Sequence, residues 1–360
     1  MKEFNLDTLI RENIKNLQPY SSARNEFKGD ASVFLDTNEN AYGSPVLFSS
    51  LKDEGTGLKL NRYPDPLQSE LKNAISKIKG VPPQNIFIGN GSDEVIDIAY
   101  RIFCEPRKDN VIVCPPTYGM YKVCGNINDV EVREVLLKED FQLDIEEILS
   151  AVNEHTKLLF ICSPNNPTGN NFNRMDIEFL LNNFPGIIMI DEAYINFSRQ
   201  KPFLQELTEY ENLVVMQTLS KAWGLAGLRL GLGFASEKMI DLFNKVKPPY
   251  NINFSSQQLG IKALANIKEV NANIKHIVEQ RSWLQRQLES FNFIQKVYPS
   301  DANFILVKVN DANKLYSYLL ACKIIVRNRS KEPLCGNSIR ITVGTPQENE
   351  NLVSALKKYE

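Results

Sequence analysis

A chain of 360 residues has room for one large domain and a smaller one, and its 43% hydrophobic and 23% charged residues are those of an ordinary globular protein. A formal net charge of −2, with no run of five like charges, excludes a general attraction for nucleic acid or anionic membranes, so anionic small molecules would have to be held by local cations. No stretch reaches the roughly 18 uninterrupted apolar residues of a membrane span, and Met1 to Asp7 lack the basic-then-apolar order of a secretion signal, so a cytoplasmic protein is expected.

In chain order, short β-branched-rich apolar runs occur at Ile86-Phe87-Ile88, Val111-Ile112-Val113, Leu158-Leu159-Phe160-Ile161, Ile187-Ile188-Met189-Ile190 and Leu213-Val214-Val215-Met216. Gly, Pro or Asn bounds them, and helical-period segments such as 145–152 separate several of them. Continuous apolar runs suit strands buried on both faces, which predicts an α/β protein with a largely parallel sheet between helices. In such sheets ligands collect at the carboxyl ends of the strands. The six cysteines, at 104, 114, 124, 162, 322 and 335, form no CxxC pair and read as buried thiols of a reducing compartment. His155 and His276 read as surface or packing residues, which sets aside triad hydrolysis and a zinc site; no metal is expected.

The strand ends carry the chemistry. Gly89-Asn90-Gly91-Ser92-Asp93-Glu94 precedes a helical pattern, and the glycines and a helix amino terminus offer an anion site. The plainer alternative is a strand-to-helix turn with Ser92 or Asp93 as N-cap. Asn165-Asn166-Pro167-Thr168-Gly169 is a rigid turn that presents an amide. Asp191 ends a buried run, a costly place for an acid without a partner. Lys221 follows the next run, where a desolvated amine would lose its proton easily, as a Schiff-base-forming lysine must; the alternative is a loop lysine just past a strand.

With Asn166-Pro167-Thr168-Gly169, Asp191-Glu192-Ala193-Tyr194, Ser220-Lys221 and Arg229 in this order, the chain resembles the fold-type-I aminotransferases that use pyridoxal 5'-phosphate. That resemblance implies a large domain with a mostly parallel seven-stranded sheet flanked by helices and a smaller α+β domain. It further implies that Lys221 bonds the cofactor and then moves the substrate proton, and that Asp191 pairs with the ring nitrogen. Asn166 and Tyr194 would hydrogen-bond the ring's phenolic oxygen, and Tyr118 would stack on the ring. The cofactor phosphate would sit on the backbone of Gly91, Ser92 and Asp93, with Thr218, Ser220 and Arg229 around it.

Further motifs narrow the resemblance to the histidinol-phosphate aminotransferase family: Gln18-Pro19-Tyr20, Asn38-Glu39-Asn40, Asn61-Arg62-Tyr63-Pro64-Asp65, Pro116-Thr117-Tyr118-Gly119-Met120-Tyr121, Ile324-Ile325-Val326-Arg327 and Ile339-Arg340-Ile341. The resemblance implies substrate contacts from Tyr20, Asn38, Asn166, Arg327 and Arg340, the last two gripping a phosphate monoester. The substrates would be histidinol phosphate with glutamate or 2-oxoglutarate, the same cations receiving glutamate's carboxylates. It also implies a homodimer in which Tyr63 reaches the neighbouring active site. Ala41 stands where many members have Pro, and Trp223 where Phe is commoner. The expected layout is an N-terminal arm over 1–44, a large domain over 45–245 and a small one over 246–360, with Pro248-Pro249 at the crossing. Alternatives are a threonine-phosphate decarboxylase, an aromatic amino acid aminotransferase and a regulatory protein that has lost catalysis.

Overall fold

After a short helix α1 (Glu12–Lys15) and a two-residue strand β1 (Val33–Phe34), seven strands assemble one sheet. They are β2 (Ile86–Asn90), β3 (Asn110–Val113), β4 (Glu131–Glu134), β5 (Thr156–Cys162), β6 (Ile187–Asp191), β7 (Leu213–Thr218) and β8 (Leu230–Phe234). Their spatial order is β2-β8-β7-β6-β5-β3-β4. The structure, a computed structural model, describes residues 10–19, 31–46 and 61–359.

Every apolar run named above lies in one of these strands. Two strands escaped the sequence reading for physical reasons. β4 (Glu-Val-Arg-Glu) is an edge strand, where charged side chains are tolerated and discourage further pairing. β8 alternates Leu with Gly, and it alone runs antiparallel to both neighbours, β7 and β2. Its Gly231 is required by proximity, since a Cβ there would overlap the backbone of Gly91 and Ser92.

Side chains alternate between two cores. Phe160, Met189, Val214 and Met216 face one, covered by α3 (Ser92–Phe103), α4 (Met120–Ile127) and α7 (Glu237–Val246). Leu159, Ile161, Ile188, Ile190 and Val215 face the other, where α2 (Ser69–Lys79), α5 (Ile145–Ser150) and α6 (Arg174–Asn183) contribute. Burial on both faces is why the strands read as unbroken apolar runs. In the first core the Phe160 ring lies between Tyr100 and Tyr121, with centroids at 5.5 and 4.9 Å, which fixes Tyr121 at the end of the sheet where Asp191 emerges.

The C-terminal part contains α8 (Phe254–Ala265), α9 (Ile267–Leu288), β9 (Ile294–Val297), β10 (Phe304–Val309), α10 (Ala312–Ala321), β11 (Ile324–Ile325), β12 (Arg327–Asn328), β13 (Ser338–Thr342) and α11 (Pro346–Tyr359). Four of its strands form an antiparallel sheet in the order β12-β13-β10-β9. β11 pairs in parallel with β1, and Thr342 N–H donates to Leu35 O at 2.9 Å, so residues 33–38 run beside the small sheet. Pro248-Pro249 lies between α7 and α8, and α8 packs on α2 through Gly260, which lies against Leu71 and Leu230. No described helix is long and apolar enough to cross a membrane.

Candidate active site

Most of the residues singled out from the sequence line one cleft of about 540 Å³: Asn38, Ser92, Asp93, Tyr118, Asn166, Asp191, Tyr194, Thr218, Ser220, Lys221, Arg229, Arg327 and Arg340. Gly91 lies behind this surface, Tyr63 stands outside it, and Tyr20 lies outside the described residues, although Gln18 and Pro19 reach the cleft wall. A second depression of about 600 Å³, at the amino-terminal edge of β5 and β6, holds none of these groups.

At one end of the cleft, α3 begins. Gly91, at φ +84°, is its N-cap, and no side chain caps the helix, so neither Ser92 nor Asp93 plays the capping part. The first turn of a 12-residue helix thus points N–H groups and a positive dipole end into the cleft. Arg229 Nη2 lies 3.3 Å from Asp93 Oδ2, and Tyr118 donates its hydroxyl to Asp93 Oδ1 at 2.9 Å. A Cβ on Gly91 would overlap the Arg229 guanidinium, so the glycine lets that cation lie directly on the helix start. Thr218 and Ser220 add hydroxyls beside it, and Thr218 Oγ1 accepts from the Ser220 N–H at 3.0 Å. This donor set suits a phosphate dianion.

In the middle of the cleft Asp191 ends β6, 4% exposed. Tyr121 donates to its Oδ2 at 2.7 Å and the Ala193 N–H to its Oδ1 at 3.0 Å, both neutral donors. Burial pushes its carboxyl up to about 6 against the pull of those two bonds. A buried carboxylate served only by neutral hydrogen bonds fits the protonated ring nitrogen of pyridoxal phosphate. Lys221 Nζ donates to Thr37 O at 2.8 Å and lies 6.0 Å from the centre of the Tyr194 ring. Burial, and then the positive charges of Arg340 and Arg229, pull its amine down to about 8. Tyr194 accepts from Asn38 Nδ2 at 3.0 Å, and burial raises its phenol.

The opposite wall belongs to the small sheet. Arg327 on β12 is the cross-strand partner of Arg340 on β13, and both are buried. Arg340 donates through Nη1 to Asn166 Oδ1 at 2.6 Å and through Nη2 to Asp36 O at 2.5 Å. Arg329 and Glu332 line the same wall, with Nη2 to Oε1 at 3.1 Å. Tyr63 is 80% exposed and stacks on Tyr250 with centroids 4.4 Å apart. All six cysteines are free thiols, five of them buried, and no described cluster of three or more His, Cys, Asp or Glu could hold a metal ion. Trp223 is buried at 2% exposure.

A family model for aminotransferase class I and II matches residues 32–356. The chain belongs to the class I and II aminotransferases. This aminotransferase is 52% identical over 356 residues to the histidinol-phosphate aminotransferase of Bacteroides thetaiotaomicron, with 99% of each chain covered. Among solved structures it resembles the histidinol-phosphate aminotransferase of Clostridium acetobutylicum, with a TM-score of 0.83 and 26% identity over 91% of this chain and 98% of that one. A histidinol-phosphate aminotransferase from Sinorhizobium meliloti, solved in complex with pyridoxal 5'-phosphate, shares the fold with a TM-score of 0.87 at 21% identity, all of both chains being covered.

Three groups of this aminotransferase's cleft escaped the sequence reading. Tyr121 sat in a quoted motif, but its bond to Asp191 spans 70 residues. The carbonyls of Asp36 and Thr37 carry no side-chain signal at all. Arg329 was not singled out, yet in an extended segment two residues on from Arg327 means the same face. That spacing was the signal that could have found it.

Proposed function

We propose that this aminotransferase transfers an amino group reversibly between L-histidinol phosphate and 2-oxoglutarate, giving imidazole acetol phosphate and glutamate, with pyridoxal phosphate as cofactor. One observation carries the choice of substrate: two buried arginines, Arg327 and Arg340, lie side by side across the cleft from Lys221 and Asp191. A phosphate monoester carries nearly two charges near neutral pH and is matched by two such cations.

The amino end of α3, Ser92, Thr218, Ser220 and Arg229 would hold the cofactor phosphate. Asp191, its carboxylate aimed by Tyr121, would accept a hydrogen bond from the ring nitrogen. Tyr118 would cover the ring, and Asn166 and Tyr194 would hydrogen-bond its phenolic oxygen. Bound there, pyridoxal phosphate supplies an electron-withdrawing ring that accepts the charge developing as the substrate's amine-bearing carbon loses its proton. Lys221 Nζ, biased toward its neutral form by burial and by Arg340, takes that proton and later returns it. Arg340 orients Asn166 through the 2.6 Å bond while gripping the substrate. Asn38 holds Tyr194 in place and borders the substrate.

The division into an arm (1–44), a large domain (45–245) and a small domain (246–360) is part of the same proposal. Pairing of β1 with β11 supports joining the arm to the small domain, and packing of α8 on α2 ties the first helix of the C-terminal segment back to the large one. Closure of the small domain over the substrate would exclude water. The exposed Tyr63 supports a homodimer in which it reaches the neighbouring subunit's cofactor phosphate, and a biosynthetic enzyme of this kind works in the cytoplasm. Incubating the loaded protein with histidinol phosphate and 2-oxoglutarate tests the reading. Glutamate formation, in excess of that with phenylalanine as donor, is the expected result; carbon dioxide released from a phosphorylated amino acid would overturn it.

A further inference from the structure

We infer that Arg329, held in place by Glu332, is a specificity-determining residue that reads the second negative charge of the phosphorylated substrate. The inference rests on the substrate reading given above and adds to it a third cation. Arg329 follows β12, and its N–H continues the ladder by donating to Ser338 O at 2.8 Å, so its side chain shares a face with Arg327 and lines the same cleft. The side chain is 14% exposed, and its Nε has no hydrogen-bond partner among the described residues. Among the described residues only the Nη2 corner is committed, to Glu332 Oε1 at 3.1 Å.

The pair is built on a local turn, in which the Glu332 N–H donates to Arg329 O at 3.0 Å, so Glu332 need not reach far to aim the guanidinium. A partly buried arginine needs such a counter-charge whenever the cleft holds a singly charged carboxylate or nothing. A guanidinium has five donors in a fixed fork, so one Nη2 bond given to Glu332 leaves the other Nη donors for an oxygen of a ligand. A carboxylate needs no third cation after Arg327 and Arg340, whereas a phosphate has a further oxygen and charge to satisfy.

The test uses the full-length, cofactor-loaded protein and reads the two half-reactions separately by single turnover. Arg329→Gln should lower the ratio of kcat/KM for histidinol phosphate to that for glutamate about 10- to 100-fold, the value of one charge-assisted hydrogen bond. It should weaken competitive inhibition of the glutamate half-reaction by inorganic phosphate to a similar degree, and Arg329→Lys should restore part of both. A drop of the same size in both half-reactions, or no change in the ratio, overturns the inference. If the wild-type protein rejects histidinol phosphate altogether, the substrate reading falls by itself. The phosphate-inhibition arm then still decides: equal inhibition of wild type and Arg329→Gln overturns the role of Arg329, and weaker inhibition of the variant sustains it.

Discussion

On the large-sheet side of the cleft, Ser92, Asp191 and Lys221 each leave the end of a different strand. On the small-sheet side, Arg327 and Arg340 face each other within a single ladder. The first arrangement gathers unlike groups, each fixed by its own strand and held by its own partner: Asp191 by Tyr121, Lys221 by Thr37 O, Arg229 by Asp93. The second repeats one group and sets its spacing by sheet register. Chemistry that needs one acid, one base and one anion cradle suits the former, and reading charge on a ligand suits the latter.

If this contrast is right, damage on the two sides should differ in kind. Lys221→Ala should have the largest effect, at least about a 10³-fold loss of turnover with every amino donor, together with loss of the loaded protein's visible absorbance. Asp191→Asn should cost about 10²–10³-fold in turnover and yet stabilise the cofactor-free protein. The native carboxyl titrates near 6 against an ordinary 3.8, so the fold holds a proton that the unfolded chain has released. Stability present at low pH is therefore lost as pH rises from about 4 to about 6, and the full penalty, about 1–3 kcal/mol, persists at pH 8. Thermal melts of the cofactor-free variant should show a gain at pH 8 that vanishes below about pH 4; a gain independent of pH would point to packing instead.

Arg340→Ala should slow both half-reactions about 10- to 100-fold, because each loses a charge-assisted bond and Asn166 loses its anchor. Slowing of only one half-reaction would mean that the wall does not serve both substrates. Asn38→Ala, which removes the donor to the Tyr194 hydroxyl, should cost a smaller factor of about 3–10. The subtlest effect links the two sides. Cofactor uptake needs the neutral amine of Lys221, so its rate in stopped-flow absorbance should climb with pH through a midpoint near 8 and level off above it. Arg340 helps to hold that amine down, so Arg340→Gln should move the plateau to higher pH. An unmoved plateau would make the two sides electrostatically independent.

The same contrast explains what could be read from the chain. Asn166, Asp191 and Lys221 were legible because each follows a β-branched run that announces a strand, so a few adjacent residues carry both position and chemistry. Arg340 was legible through the family motif Ile339-Arg340-Ile341, in which a cation inside an apolar run is costly without a purpose. Tyr121 was not, since its partner Asp191 lies 70 residues away and the ring is set by the Phe160 stack; Arg329 left only its two-residue spacing from Arg327, which means a shared face only once the segment is known to be extended. β8 was missed because its glycines serve the approach of another backbone rather than its own propensity.

Asp36 and Thr37 supply their carbonyls to Arg340 and Lys221 respectively. Two consecutive peptide units therefore act as a gauge between the proton-moving amine and the charge-reading guanidinium, graduated at the 3.8 Å that separates successive Cα atoms. A carbonyl carries no side-chain identity, so the length of this segment rather than its residue types sets the gauge. Adding or removing a single residue between Leu35 and Asn38 would put it out of register at both ends at once.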